Sequence, residues 1–133
     1  MSTTDVLTFH PMVILLVGDD VVEQFSIWKL LRADGFRVLT AGDGTAALDA
    51  SRNYPGTIDL LLSDMDMPRM GGLELCQTIA AERPGIKLLT MSAEICEREQ
   101  ATTHWLVFLQ KPFSDAALRS SIEALLGPIP PTR

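Results

Sequence analysis

Short apolar runs alternate with segments of helical periodicity along most of the chain. Five segments predict strands, and in four of them consecutive apolar residues predominate, as in strands that are covered on both faces. They are MVILLV at 12–17, FRVLT at 36–40, IDLLLS at 58–63, IKLLTM at 86–91 and WLVFLQ at 105–110. Gly and Pro residues separate these runs from the segments between them, as expected for turns.

Between the strands, apolar residues recur at spacings of three and four, which place them on one face of a helix. The first such face comprises Val21, Phe25, Trp28 and Leu31, and Gly35 ends it. The same pattern predicts helices over 45–52, 73–80 and 118–125, with a short one over 94–103.

Strands that alternate with helices predict βαβ units and therefore a parallel sheet. Because crossovers are right-handed, few arrangements remain. We expect a doubly wound, flavodoxin-like α/β fold with five parallel strands in the order 2-1-3-4-5. Residues 1–10 are predicted to be a flexible lead, 11–127 the folded domain and 128–133 a solvated tail.

Composition narrows the function. The 133 residues are enough for one domain, and 47% hydrophobic with 21% charged residues is a globular balance. The net charge of −6 opposes binding to phosphate backbones and anionic membranes, so we expect neither nucleic acid nor a membrane as a partner. No apolar run approaches the roughly 20 residues of a membrane helix. No signal peptide is visible, and Cys76 and Cys96 are predicted to be reduced thiols of a cytoplasmic protein.

Polar side chains follow four of the predicted strands. Asp19 and Asp20 follow the first, Asp64 the third, Ser92 the fourth and Lys111 the fifth. In a doubly wound sheet, ligands bind beyond the carboxyl ends of the strands, at the switch point between the first and third. We therefore expect these side chains to share one edge of the sheet.

Carboxylates grouped in this way repel one another, and a hard cation such as Mg²⁺ relieves the repulsion. A lysine and a serine nearby could bind phosphoryl oxygens, so the set could form and stabilise an aspartyl phosphate. Each residue also has an ordinary structural interpretation. Asp19 and Asp20 could cap the first helix, and Asp64 and Ser92 could be loop or turn residues.

Five segments, in order, resemble the motifs of the response-regulator receiver domain of two-component signalling. The similarity covers residues 12–126 and is most specific at 59–75. The segments are ILLVGDD at 14–20, GFRVLTAGDGTAAL at 35–48, DLLLSDMDMPRMGGLEL at 59–75, LLTMSA at 88–93 and FLQKPF at 108–113.

The resemblance implies a phosphoryl-accepting signalling domain rather than a conventional enzyme. Asp64 would be the phosphoacceptor, and a histidine kinase or histidine phosphotransfer protein the donor. Mg²⁺ would be bound by Asp19, Asp64 and the main-chain carbonyl of Asp66, with Asp20 as a further candidate ligand.

The remaining roles implied by the resemblance belong to the phosphorylated state. Ser92 would bind the phosphoryl group after a small inward shift, and Lys111 would pair with it. Phe108 lies at the position of the switch aromatic, although plain core packing would also explain a phenylalanine there. The output would be a changed surface for a downstream protein that the sequence does not identify.

Two departures from the family pattern stand out. Gly18 replaces the first member of the acidic pair that usually ends the first strand, which leads to the hypothesis that Mg²⁺ binds more weakly here. Only 19 positions separate Ser92 from Lys111, and Thr-Thr-His-Trp at 102–105 replaces the usual turn. The fourth helix is therefore expected to be short or irregular.

Two other functions are compatible with the sequence. A pseudo-receiver, which binds partners without being phosphorylated, is supported only by Gly18. A small phosphatase of the haloacid-dehalogenase type is suggested by Asp64-Met65-Asp66, which resembles the Asp-x-Asp motif of that class. That class carries the motif on its first strand, whereas here it follows the third.

Overall fold

The computed structural model describes residues 11–94 and 106–129. Five parallel strands form one sheet in the order β2-β1-β3-β4-β5, which confirms the predicted fold class and strand order. The strands are β1 (Val13–Val17), β2 (Arg37–Ala41), β3 (Leu60–Asp64), β4 (Lys87–Ser92) and β5 (Leu106–Gln110).

Four helices lie in the described part of the chain. They are α1 (Val21–Ala33), α2 (Gly44–Asn53), α3 (Gly72–Glu82) and α4 (Asp115–Leu126). The predicted helix over 94–103 falls almost entirely outside the described residues, as do the lead at 1–10 and the end of the tail at 130–133. The expectations for those segments therefore stay predictions.

The helices cover both faces of the sheet, and each face has its own core. On one face α2 and α3 pack against the sheet, with Leu75 beside Leu15 and Leu61 of the central strands. On the other face α1 and α4 pack against alternate strand residues such as Leu16 and Leu62. Because both faces are buried, β1 is wholly apolar and β3 begins with three leucines before its polar end, which is the pattern visible in the sequence.

Two strands end one residue later than the apolar runs predicted. Asp64 is the last residue of β3 and Ser92 the last of β4, and both are buried. The ladder continues beyond them, since the N–H of Met65 donates to the carbonyl of Met91 at 2.8 Å and that of Lys111 to the carbonyl of Ser92 at 2.7 Å. The apolar pattern of β3 and β4 ends at these polar side chains, whereas the backbone hydrogen bonds between neighbouring strands continue past them.

Cys76, on α3, is fully buried in the core between that helix and the sheet. Burial raises the pKa of its thiol to about 12, so the reactive thiolate is scarce at neutral pH. The prediction of a packed thiol is confirmed for Cys76, whereas Cys96 lies outside the described residues.

The start of α3 passes very close to the end of β3, and Gly72 makes this approach possible. Its N–H donates to the carbonyl of Met65 at 2.8 Å. A Cβ at position 72 would lie 2.8 Å from the Cα of Met65 and closer still to the carbonyl oxygen of Asp64. The absence of a side chain at Gly72 thus lets the helix begin directly behind the buried aspartate.

Replacing Gly72 with alanine should reduce the free energy of unfolding by about 2 kcal/mol, because backbone atoms must shift to admit the methyl group. Urea denaturation of the purified variant measures the loss. Gly42→Ala is the matched control, since a Cβ there meets no atom within 4 Å and should leave stability nearly unchanged. Equal effects at both positions would refute the close-approach explanation.

Candidate functional site

A buried carboxylate and an ammonium group meet at the carboxyl edge of the sheet. Asp64, at the end of β3, is only 5% exposed. Lys111 follows β5, and its Nζ lies 2.6 Å from Asp64 Oδ1. The contact is an ion pair outside hydrogen-bond geometry, so Oδ1 is a buried oxygen without an aligned donor. The structure therefore brings together two of the residues that the sequence singled out.

Burial and charge act in opposite directions on this pair. Burial raises the pKa of Asp64, whereas the neighbouring Lys111 lowers it, and burial prevails. For Lys111, burial lowers the pKa, but its contacts with Asp64 and Glu23 outweigh that effect and leave the pKa above its ordinary value. The ammonium group thus stays charged beside a carboxylate that is poorly solvated.

Glu23 is the site residue that the sequence analysis missed. It lies in the first turn of α1, and its Oε1 accepts a hydrogen bond from Lys111 Nζ at 2.8 Å. Both side chains are about three-quarters buried. Lys111 is therefore shared between carboxylates from β3 and α1. No motif indicated this, because an acidic residue in the first turn of a helix is common for reasons of the helix dipole alone.

The two aspartates after β1 have different environments. Asp20 is the N-cap of α1, and its Oδ1 accepts the N–H of Glu23 at 3.0 Å. The capping interpretation is therefore the one that the structure supports for Asp20. Asp19 is exposed at the carboxyl end of β1, next to the strand that carries Asp64. Solvent can therefore reach Asp19.

Gly18 lies directly beneath the Asp64 carboxylate. A Cβ at position 18 would come within 2.5 Å of Asp64 Oδ2, so this carboxylate occupies space that any larger residue would take. Gln24 of α1 fixes the backbone here, since its side-chain amide donates to the carbonyls of Gly18 at 3.3 Å and Ala41 at 2.9 Å. The glycine thus changes the shape of the site as well as its charge.

Ser92 lies at the end of β4, on the far side of Asp64 from β1. Its hydroxyl accepts the N–H of Glu94 at 3.0 Å and lies 3.5 Å from Asp66 Oδ2, which is a long contact. Asp66 is exposed in the loop after β3. The structure therefore places the predicted serine and aspartate on the rim of the same site.

Phe108 lies in the middle of β5, opposite Thr90 of β4. Its side chain is half-buried and packs against the core on the α2–α3 face. This agrees with the core-packing interpretation of the residue. Its predicted role as a switch remains a prediction.

The charges of the site favour a cation. Asp19, Glu23 and Asp64 stand against the single positive charge of Lys111. Within residues 11–94 and 106–129, no three His, Cys, Asp or Glu side chains are grouped closely enough to hold a metal by themselves. The predicted ligand set does not need such a group, since it combines two carboxylates with a main-chain carbonyl and leaves room for phosphoryl oxygens.

Comparisons with known proteins identify the family of the chain. Residues 14–123 match the family model of the response regulator receiver domain. The transcriptional regulatory protein CpxR of Escherichia coli is 34% identical over 115 residues, which cover 85% of this chain and 48% of CpxR. The chain spans about half the length of several curated relatives that it matches.

Solved structures with the same fold include two receiver proteins whose sequences are 31% and 25% identical to this chain. The receiver domain of the hybrid histidine kinase CckA has a TM-score of 0.74 and 31% identity, covering 86% of this chain and 98% of that one. The response regulator TrrA of Thermotoga maritima, solved with Mg²⁺ and BeF, has a TM-score of 0.76 and 25% identity, covering 86% and 99%.

These relatives bear on the expectation about nucleic acid. The expectation that no nucleic acid is bound is not supported, because the matching relatives include transcriptional regulatory proteins. The charge argument applies to the acidic domain, whereas the chain covers only half of such relatives. Among the helices described, none is long and apolar enough to cross a membrane.

Removing the ammonium group should destabilise the fold through the carboxylate left behind. We expect Lys111→Met to reduce the free energy of unfolding by about 2 kcal/mol, because Asp64 would remain buried without a counter-charge. The measurement is urea denaturation without Mg²⁺. In an Asp64→Asn background the same substitution should have a much smaller effect. Equal losses in both backgrounds would show that the loss of stability does not come from the unpaired Asp64 carboxylate.

Proposed function

Because the chain belongs to the response-regulator receiver-domain family, we propose that it accepts a phosphoryl group from phosphohistidine onto Asp64 and signals through a changed partner-binding face. The observation that carries this proposal is the buried Asp64 carboxylate held 2.6 Å from the Lys111 ammonium group. The family is a signalling family rather than a class of conventional enzymes. The chemistry proposed here is limited to acceptance and loss of one phosphoryl group.

In the proposed transfer, a carboxylate oxygen of Asp64 forms a bond to phosphorus while the P–N bond of the donor breaks. The electron pair of that bond leaves with the donor imidazole. Lys111 is already at the reacting carboxylate, so its ammonium group can stabilise negative charge on the phosphoryl oxygens without a large rearrangement. The buried position of Asp64 keeps water from competing for these interactions.

The residues present fit a magnesium ion. Asp64 has a buried oxygen without an aligned donor, Asp19 is exposed at the neighbouring strand end, and Asp66 lies in the loop that follows β3. We propose that Mg²⁺ binds to the Asp19 and Asp64 carboxylates and the main-chain carbonyl of Asp66. When bound, it supplies positive charge that draws carboxylate and phosphoryl oxygens together. The Mg²⁺ and BeF in the TrrA structure support this assignment.

The response to phosphorylation is proposed to run through β4 and β5. The Ser92 hydroxyl donates only to Asp66, at a long 3.5 Å, while its oxygen accepts the N–H of Glu94, so the hydroxyl hydrogen can turn toward a phosphoryl group on Asp64 at little cost. Phe108, half-buried on the neighbouring strand, would then move inward. The resulting change on this side of the sheet is the proposed signal to a downstream protein. A cytoplasmic location belongs to the same proposal.

The start of α1 is the proposed docking surface for the phosphohistidine donor. Val21 and Val22 are each 77% exposed and Phe25 57%, a cluster of apolar side chains of the kind that marks interaction sites. These residues immediately follow Asp19 and Asp20, and Glu23 on the same helix contacts Lys111. A donor seated on this surface would bring its phosphohistidine next to Asp64.

The central test is phosphorylation by a small phosphodonor in the presence of Mg²⁺. We expect intact-mass spectrometry to show one added phosphoryl group on the wild-type chain and none on Asp64→Asn. Asp49→Asn is the matched control, because it makes the same chemical change at an exposed position on α2. It should be phosphorylated like the wild type.

The other outcomes identify the alternatives. A wild-type chain that takes up no phosphoryl group and does not respond to beryllofluoride at any Mg²⁺ concentration would favour the pseudo-receiver. Sustained hydrolysis of a generic phosphate ester that Asp66→Asn abolishes would favour the phosphatase. Either result would overturn the proposed phosphoacceptor function.

The docking proposal has a separate test. Phe25→Ser should slow phosphoryl transfer from histidine kinases of the source organism by about tenfold or more, because it removes an apolar anchor from the interface. Phosphorylation by the small donor should be unchanged, since Phe25 does not contact the site. Transfer rates in a kinase profile measure the first effect and intact mass the second. Equal transfer rates for variant and wild type would exclude this surface.

A further inference from the structure

The Glu23 side chain departs from the arrangement that its local sequence favours. Asp20 is the N-cap and Glu23 the third helical residue, the position from which a glutamate commonly turns back to the N–H of the cap residue. Half of that arrangement is present, because Asp20 accepts the N–H of Glu23. The Glu23 carboxylate, however, extends to Lys111, which is 88 positions away in the chain.

This carboxylate enters a site from which one acid is missing. Gly18 carries no charge, and the space a side chain would need there is taken by Asp64 Oδ2. Glu23 approaches from the first turn of α1, over the loop whose backbone Gln24 fixes. Glu23 thereby adds a second carboxylate beside Lys111, from a position five residues further along the chain than the missing acid.

We propose that Glu23 takes over, from helix α1, the charge of the acidic side chain that the chain lacks at position 18. The inference rests on the proposed function, because the charge is assigned to the Mg²⁺-dependent phosphoacceptor site. Glu23 acts as a positioning residue: it holds Lys111 between α1 and β3 and adds the negative charge that favours a bound cation.

Two further observations support this role. The charge of Glu23, like that of Asp19, opposes ionisation of Asp64 and raises the pKa of that carboxyl group, so its field reaches the phosphoacceptor. In addition, Asp64 Oδ1 is buried and lacks an aligned donor although Lys111 is nearby. Lys111 Nζ lies between the two carboxylates, 2.6 Å from Asp64 Oδ1 and 2.8 Å from Glu23 Oε1, so Glu23 shares the only positive charge that this oxygen meets among the described residues.

The experiment is a calorimetric titration of the wild type and variants of the full chain with Mg²⁺ alone. We expect Glu23→Gln to weaken Mg²⁺ binding about tenfold, the lower end of the effect of removing an outer-shell partner. Glu74→Gln is the matched control. Glu74 is also acidic and in the first turn of a helix, but it lies on α3, is exposed and has no recorded contact with Lys111 or Asp64 in the described part of the chain. Its Mg²⁺ affinity should equal that of the wild type.

A rescue variant distinguishes replacement of charge from simple structural damage. Gly18→Asp combined with Glu23→Gln should recover most of the lost Mg²⁺ affinity, whereas Gly18→Asp alone should add less to the wild type. Urea denaturation of each variant verifies that it is folded. Because Gly18→Asp must displace the Asp64 carboxylate, Glu23→Asp provides a second comparison: it keeps the charge but shortens the reach to Lys111, and should fall between wild type and Glu23→Gln.

The outcomes separate this inference from the function on which it rests. Wild-type binding of Mg²⁺ that Glu23→Gln leaves unchanged relative to Glu74→Gln would overturn the role of Glu23 and leave the proposed function standing. Absence of Mg²⁺ binding by the wild type would overturn both. A selective loss in Glu23→Gln with recovery in the double variant would support the proposal.

Discussion

The arrangement of the site depends on one constraint, which is that a carboxylate is buried at the end of a hydrophobic strand. An isolated charge in such a place is strongly unfavourable unless a counter-charge or hydrogen bonds offset the loss of water. Asp64 meets this condition through Lys111, whose backbone is fixed to β4 by the bond from its N–H to the carbonyl of Ser92. The sheet thus fixes the backbone of Lys111, and from that position its side chain reaches the Asp64 carboxylate.

The same constraint explains why glycines surround Asp64. Gly18 lies below its carboxylate and Gly72 behind its carbonyl, and a Cβ at either position would collide with the aspartate. In a parallel sheet with helices on both faces, the ends of the central strands are crowded by backbone, because each strand is followed within a few residues by a helix. Asp64 therefore lies in a space bounded mainly by backbone, which limits how its carboxylate can turn.

Much of this could be read from the sequence. The strands β1 and β3, which overlap the runs 12–17 and 58–63, are buried on both faces, and the order of elements left few sheet topologies, so fold and strand order followed from pattern alone. Asp64, Ser92 and Lys111 could be placed at one edge for the same reason. The role of Asp20 could not be decided from the sequence, since capping and metal binding both call for a carboxylate at this position, and only the contact with the Glu23 N–H favours capping.

Sequence patterns could not identify Glu23 as a residue of the site, because the direction of its side chain is not set by its position in the helix. A residue at a strand end has its direction set by the pleat, whereas a glutamate on the first turn of a helix can turn to its own cap, to solvent or to a distant lysine. Local sequence does not decide among these; the position of Lys111 does. Relocating an acid from the strand end to the helix therefore preserves charge while loosening geometry, because the longer side chain loses more rotamer freedom when it is fixed. A site built in this way keeps its electrostatic attraction for a cation but is less rigidly organised around it, so the charge count and the binding affinity of the site need not change together.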